Sequence, residues 1–441
     1  AESYDYDAYG NVTIRNGSGT VIPTSAYGNR FLFQGREYDY TTQLYNFRAR
    51  WYDTETGRWL SNDPIGISGG LTAIGPMAGG YLTEWTWRSI FWINVPVALI
   101  ALFLIWRSHP DDEKHPGGLD YRGTLLISGA MGLLVLGLQQ SSEWGWGSAQ
   151  TWACVVVGLI LGVVFVWWEL RTPAPLLELR IFRDRGFAVE NIVLGTMSIV
   201  FVPFFFFGSV YAQAALGESA QNAGFYIMWF FLGFVITAQI GGRILDARGA
   251  RPAVVVGGAI AAVGFFLLAG KLTVLDLDSQ WPYIVLAGAG VGFLLGPAST
   301  DAVNRAPRTS YSQVTGITQT SRNFGASLGL AILGALLISQ NRTNVADGLV
   351  GAGVPRAAAE QVAQELGSGG SRAGDAASKA SPEQLHAVQM AFAESTQTIF
   401  YVMAGVMAVT FLIALIWLPG GRIAVPGEDA AEEPDAAPAA P

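Results

Sequence analysis

Charge is what this chain has least of. Asp, Glu, Lys and Arg make up 14% of its 441 residues, against about a quarter in a soluble globular domain. That shortage excludes an ordinary water-exposed surface for most of the chain and leaves no basic face for nucleic acid. The single cysteine, Cys154, lies in an apolar run, so no internal disulfide and no cysteine metal cluster can form. His109, His115 and His386 are scattered over two loops without metal-ligand spacing. No Gly-x-x-x-x-Gly-Lys-Ser/Thr loop is present to cradle a nucleotide, and no nucleophile triad stands out, so neither ATP-driven work nor enzymatic catalysis is expected. The opening Ala-Glu-Ser-Tyr-Asp-Tyr-Asp lacks the basic and apolar regions of a signal peptide and has no initiator methionine.

What is present is oil. Hydrophobic residues make up 51% of the chain, and the mean hydropathy is +0.34. The formal charge of −8 says little about partners, because much of the acid lies in residues 341–395 and after 426. The character changes at a seam near residues 66–71. Before it the pattern is tyrosine- and arginine-rich with period two; after it, long apolar runs recur.

In the first segment, Tyr45, Phe47, Ala49 and Trp51 alternate with Asn46, Arg48, Arg50 and Tyr52, which predicts one half-buried strand over 44–53. Thr54-Glu-Thr-Gly57 supplies a turn, and Arg58-Trp-Leu60 a returning hairpin partner. Residues 11–14 and 30–34 are further strand candidates. Tyr6-Asp-Ala-Tyr-Gly-Asn-Val-Thr13 and Tyr45-Asn-Phe-Arg-Ala-Arg-Trp-Tyr-Asp-Thr-Glu-Thr-Gly-Arg-Trp-Leu-Ser-Asn-Asp-Pro-Ile-Gly66 resemble the tyrosine-aspartate repeat and core motif of rearrangement-hot-spot (RHS) proteins. The resemblance implies a piece of a β-shell over residues 1–70. No second aspartate motif follows Asp63, so self-cleavage is not expected.

Apolar runs long enough to cross a ~30 Å hydrocarbon layer fall at 88–106, 122–140, 151–168, 187–211, 223–241, 252–270, 282–302, 314–339 and 397–418. The expected fold class is an all-α polytopic membrane protein of about nine or ten transmembrane helices, with a small N-terminal β segment. Arg107, Lys114 and Arg122, then Arg171, Arg180, Arg183 and Arg185, then Arg243, Arg248 and Arg251, then Arg305 and Arg308 occupy alternate loops. Those loops are therefore expected in the cytoplasm with the C-terminus, in a plasma (inner) membrane. Residues 341–396 then form an outer loop with surface helices at 355–366 and 382–394. The acidic tail after 426 is expected to be disordered.

Gly75-Pro-Met-Ala-Gly-Gly80, with Trp87-Arg-Ser-Ile-Phe-Trp-Ile-Asn-Val-Pro96, resembles the fifth and sixth helices of the fourteen-helix drug:proton antiporter branch of the major facilitator superfamily. Gly75, Pro76, Gly79 and Gly80 stand at that branch's antiporter motif. Gly242-Arg-Ile-Leu-Asp-Ala-Arg-Gly-Ala-Arg251 is similar to its loop motif, which implies a conformational switch at Gly242, Asp246, Arg248, Gly249 and Arg251. The resemblance covers about residues 71–419. It implies a remnant of the N-terminal bundle over 71–106, two extra helices within 107–186, a complete six-helix C-terminal bundle over 187–419 with an outer loop at 340–396, and a tail over 420–441.

On that register helices one to four are absent. The expectation is a multidrug efflux permease of lipophilic solutes, coupled to protons by resemblance, that does not transport as written. Two alternatives stay open: an RHS-derived interaction or toxin-shell piece on a membrane anchor, and a chimera made by recombination or misassembly. No cofactor is expected; the partners are the lipid bilayer and a lipophilic small molecule. Within the spans, Asn191, Gln239, Gln319, Thr320, Arg322 and Asn323 are the polar candidates for a pathway. Arg322 reads either as a functional buried cation or as a side chain that snorkels to the surface. Glu190 and Asp301 read as interfacial acids rather than proton carriers. The aromatic runs at 204–207 and 229–231 read as lipid-facing bulk, with a cavity lining as the alternative.

Overall fold

The computed structural model describes residues 2–6, 11–32, 37–40, 44–46, 51–53, 58–59, 79, 81–83, 85–86, 88–108, 120–172, 175–305, 311–367 and 381–421. The chain divides into two compact units, Ala1–Gly69 and Gly70–Pro441.

The first unit holds two antiparallel sheets. One orders β1 (Ser3–Tyr6), β2 (Val12–Arg15) and β3 (Val21–Ile22); the other orders β4 (Glu37–Asp39), β5 (Leu44–Asn46), β6 (Trp51–Asp53) and β7 (Arg58–Trp59). Asn16 closes the β2–β3 turn, its Oδ1 accepting from the Ser18 and Thr20 amides at 3.1 and 2.9 Å, and Gly19 takes the left-handed φ of 83° that follows. The single strand expected over 44–53 is instead two strands, with Leu44 paired to Asp53 and Asn46 to Trp51. Alternation alone does not separate one strand from a hairpin. The antiparallel arrangement sets Tyr45 between Tyr38 and Tyr52 and buries it completely, its ring 4.7 Å from that of Tyr38. β7 pairs with β6 through Asp53 and Arg58. Phe31 makes an isolated bridge, and residues 33–36 and 54–57 lie outside the described residues.

The second unit is helical: α1 (Ser89–Trp92), α2 (Asn94–Ser108), α3 (Tyr121–Trp144), α4 (Ala149–Glu169), α5 (Arg185–Ala214), α6 (Ala220–Arg248), α7 (Ala250–Ala269), α8 (Leu277–Asn304), α9 (Tyr311–Gly351), α10 (Arg356–Gly367) and α11 (Pro382–Trp417). Eight of them are long and apolar enough to cross a membrane. Their starts are set by side-chain caps that occupy otherwise orphaned amides: Asp120 on Gly123, Asp184 on Phe187, Ser219 on Asn222, and a Ser381/Gln384 capping box.

The run expected to span at 88–106 is broken at Ile93. Pro96 has no N–H for the Trp92 carbonyl, and the helix restarts at Asn94. α9 and α11 exceed expectation. They hold 41 and 36 residues: α9 continues into a segment expected as loop, and α11 joins the surface helix expected at 382–394 to the span expected at 397–418. α10 explains why: Val345, Ala346 and Leu349 of α9, Ala359 and Ala363 of α10 and Ala391 of α11 bury a small core of their own, so helix is favoured well past the lipid-length stretch.

Helices α5 to α9 and α11 form one bundle, while α3 and α4 make a hairpin whose α3 packs on α9. α8 is its most enclosed element. Helices of similar lipid solubility associate by close packing of small residues. At Gly290 the backbone of α8 lies so near Ala261 of α7 that no Cβ fits. The phenylalanines expected to face lipid are core instead. Phe204 stacks on Phe230 at 4.6 Å and meets Phe265 and Phe400, and only Phe206 of its run points outward. The helical period puts 204 and 207 on the inner face and 206 on the outer. At one end of the bundle a buried relay runs from Tyr226 through Gln280 to Tyr211, whose hydroxyl donates to the Leu272 carbonyl at 2.6 Å.

Candidate functional site

At the opposite end, where α5 begins and α8 finishes, one guanidinium holds two carboxyls, and a third lies buried near them without a hydrogen-bond partner. Arg305 at the α8 C-cap holds Asp301 at 2.8 Å, one helical turn back, and Asp184 at 3.7 Å across the interface. Asp184 caps α5 with the same side chain. The Glu190 carboxyl, fully buried one to two turns into α5, faces Asp301, Arg305 and Asp184. Gly186 lies directly under the Arg305 guanidinium, so a side chain there would have to displace it. Burial works against the Arg305 charge, but Asp301, Glu190 and Asp184 outweigh it and hold the guanidinium above its ordinary range. The arrangement ties the start of one helix to the end of another by charge-assisted bonds.

A different chemistry lines the α5–α9 seam. The two helices touch backbone to backbone where Gly325 meets Gly195 and Gly329 meets Ile199. Toward the α5 start the seam turns polar. Asn191 is buried, its amide donating to the Phe187 carbonyl at 2.9 Å while its Oδ1 has no partner. Thr318, 6% exposed, has an unpartnered hydroxyl, and Arg322 one turn along the same face has a buried, unpartnered Nε. Gln319 and Asn323 stand on the exposed side of α9, joined by a 3.1 Å bond. Thr320 lies on the same helix. Gln239 is exposed on α6.

The segment from Gly242 to Arg251 joins α6 to α7. Gly249, at φ 85°, ends one helix and starts the next. Arg251 donates to the Leu415 carbonyl at 2.9 Å, which fastens this corner to the last turns of α11. Asp246 and Arg248 occupy the final turn of α6, and Gly242 faces open space. Gly79 lines a cavity of about 330 Å³ with Thr83, Phe205, Ser209, Gln213 and Gly224. Gly75, Pro76 and Gly80 lie outside the described residues, as do Asp63, Trp87 and the tail from 422.

Sequence reasoning missed the Arg305 hub and Gly186. The Asp301-to-Arg305 spacing was a visible i,i+4 signal, but Asp184 joins from a helix start more than a hundred residues earlier and is found only by folding. Thr318 carried no signal beyond its place one turn from Arg322.

The sequence model of the Major Facilitator Superfamily matches residues 41–330. The chain belongs to that superfamily. It is 30% identical over 314 residues to the tetracenomycin C resistance and export protein of Streptomyces glaucescens, covering 68% of this chain and 58% of that protein. A multidrug transporter of Bacillus subtilis is 29% identical over 298 residues, 64% of this chain and 53% of its own. The cephamycin export protein of Amycolatopsis lactamdurans is 30% identical over 280 residues, 61% of this chain and 56% of its own. The chain thus spans between half and three fifths of each of these relatives. As a superfamily member with eight described helices of membrane-spanning length, the chain is a membrane protein of a transporter superfamily.

Proposed function

We propose that this chain serves drug efflux: it exports lipophilic small molecules across the plasma membrane in exchange for protons. The observation that carries the reading is superfamily membership together with relatives whose names are those of antibiotic and multidrug exporters. The geometry adds support. The basic residues Arg185, Arg243, Arg248, Arg251 and Arg305 collect at the end of the bundle where α5 begins, whereas Lys271 is at the other. By the positive-inside rule that end faces the cytoplasm, and the Arg251–Leu415 bond brings the end of α11 to the same side.

In this reading the polar seam of Asn191, Gln319, Arg322 and Asn323, with Gln239 on α6, lines the cargo path, and Gly79 belongs to the helix that shapes its far end. The Gly242–Arg251 corner and the Arg305 hub hold the bundle in one of two arrangements.

The test uses inside-out vesicles carrying the full chain, given an external fluorescent lipophilic solute and an imposed proton gradient. Gradient-dependent uptake that a protonophore abolishes is the expected result. Equal solute content with and without the chain overturns the proposal.

A further inference from the structure

Arg322 is the one charged residue between Tyr311 and Asn341. It sits 11 residues into α9, about 16 Å along the helix axis, well inside the membrane-length stretch. At the end of the bundle Arg305 is balanced by Asp301 and Asp184. Arg322 is not. No carboxylate among the described residues pairs with it, and its buried Nε donates to nothing. One turn away on the same face, the Thr318 hydroxyl is more than nine-tenths buried and equally without a partner. Two unused donors, one of them cationic, therefore point into one seam beside exposed Gln319 and Asn323. A cation left without its counter-charge in a span is costly, and the groups that relieve it are anionic acceptors.

We propose that Arg322 and Thr318 form the recognition point for the anionic group of the exported solute, so that the cargo class is lipophilic acids bearing a carboxylate or phenolate. This rests on the export reading above. The donor set selects for anions: a neutral solute leaves the guanidinium unbalanced, and a cationic one is repelled by it. Asn191 and Asn323 supply amides that turn to suit the rest of the polar group. A phospholipid phosphate shares the acceptor chemistry, and the experiment separates the two sources.

The full chain is reconstituted in phosphatidylcholine nanodiscs, and binding of 1-pyrenebutyrate is compared with that of uncharged 1-pyrenebutanol. Wild type is expected to prefer the acid by about tenfold. R322Q removes that preference, R322K keeps part of it, and T318V narrows it. Equal affinity of wild type for the two probes overturns the inference while leaving export intact, and so does an undiminished preference in R322Q. Loss of the preference when phosphatidylglycerol replaces half of the lipid also overturns it, naming a headgroup as the natural ligand. If neither probe binds wild type, the inference and the export reading fall together.

Discussion

Helices α8 and α9 follow one another in the chain and were made for opposite tasks. In α8 72% of the membrane-length window is buried, in α9 22%. α8 keeps its buried acid, Asp301, at the helix end and neutralises it with Arg305 one turn on; α9 carries Arg322 inside the span, its buried Nε without a partner. The difference separates two uses of a charge in a membrane protein. Where a charge holds the scaffold together, its partner comes with it. Where it is kept for something that arrives and leaves, the partner is missing.

That contrast can be broken by substitution. Arg305→Ala is expected to have the largest effect, because it strands Asp301 and Asp184. A loss of about 3–5 kcal/mol is expected, read as a steep drop in the detergent unfolding midpoint. Gly290→Val in α8 drives a side chain into the Ala261 backbone. It should cost about 1–3 kcal/mol, whereas Gly316→Val on the open side of α9 stays within about 0.5 kcal/mol. Equal effects at the two glycines would show that α9 is as closely packed as α8.

Smaller still is Thr237→Val, which removes the 2.7 Å bond from α6 to the Ala289 carbonyl of α8. About 1 kcal/mol is expected, the net worth of one interhelical hydrogen bond. The smallest effect on stability is expected from Arg322→Gln, within about 0.5 kcal/mol of wild type. A large loss there would mean that Arg322 is scaffold after all, and would erase the distinction between the helices.

Much of α8 was legible beforehand and less of α9. Apolar length placed the membrane stretch of both, and Asp184, Ser219 and Ser381 stand where caps belong. The extension of α9 to Gly351 was not legible. Residues 341–351 are too polar for a membrane stretch and gain their reason for being helical only from α10 and α11 packed alongside. The inward turn of Phe204 and Phe230 was hidden for a related cause: phenylalanine suits lipid and protein interior equally, so composition cannot assign its direction. Arg322 was visible as an oddity from the start. Its isolation was not, because the lack of a counter-charge depends on what the neighbouring helices bring, and that is a property of the fold.

The length of α9 has a mechanical side. At 41 residues it is a continuous rod of about 60 Å, roughly twice the hydrocarbon thickness. From Arg322 to Gly351 the arm measures about 44 Å, so a tilt of about 5° at the level of Arg322 swings the far tip by about 4 Å. The tip is gripped by α10 and by the Asn344–Ser395 bond to α11, which makes the helix a pointer. A label placed near residue 350 reads out, magnified, whatever happens at Arg322.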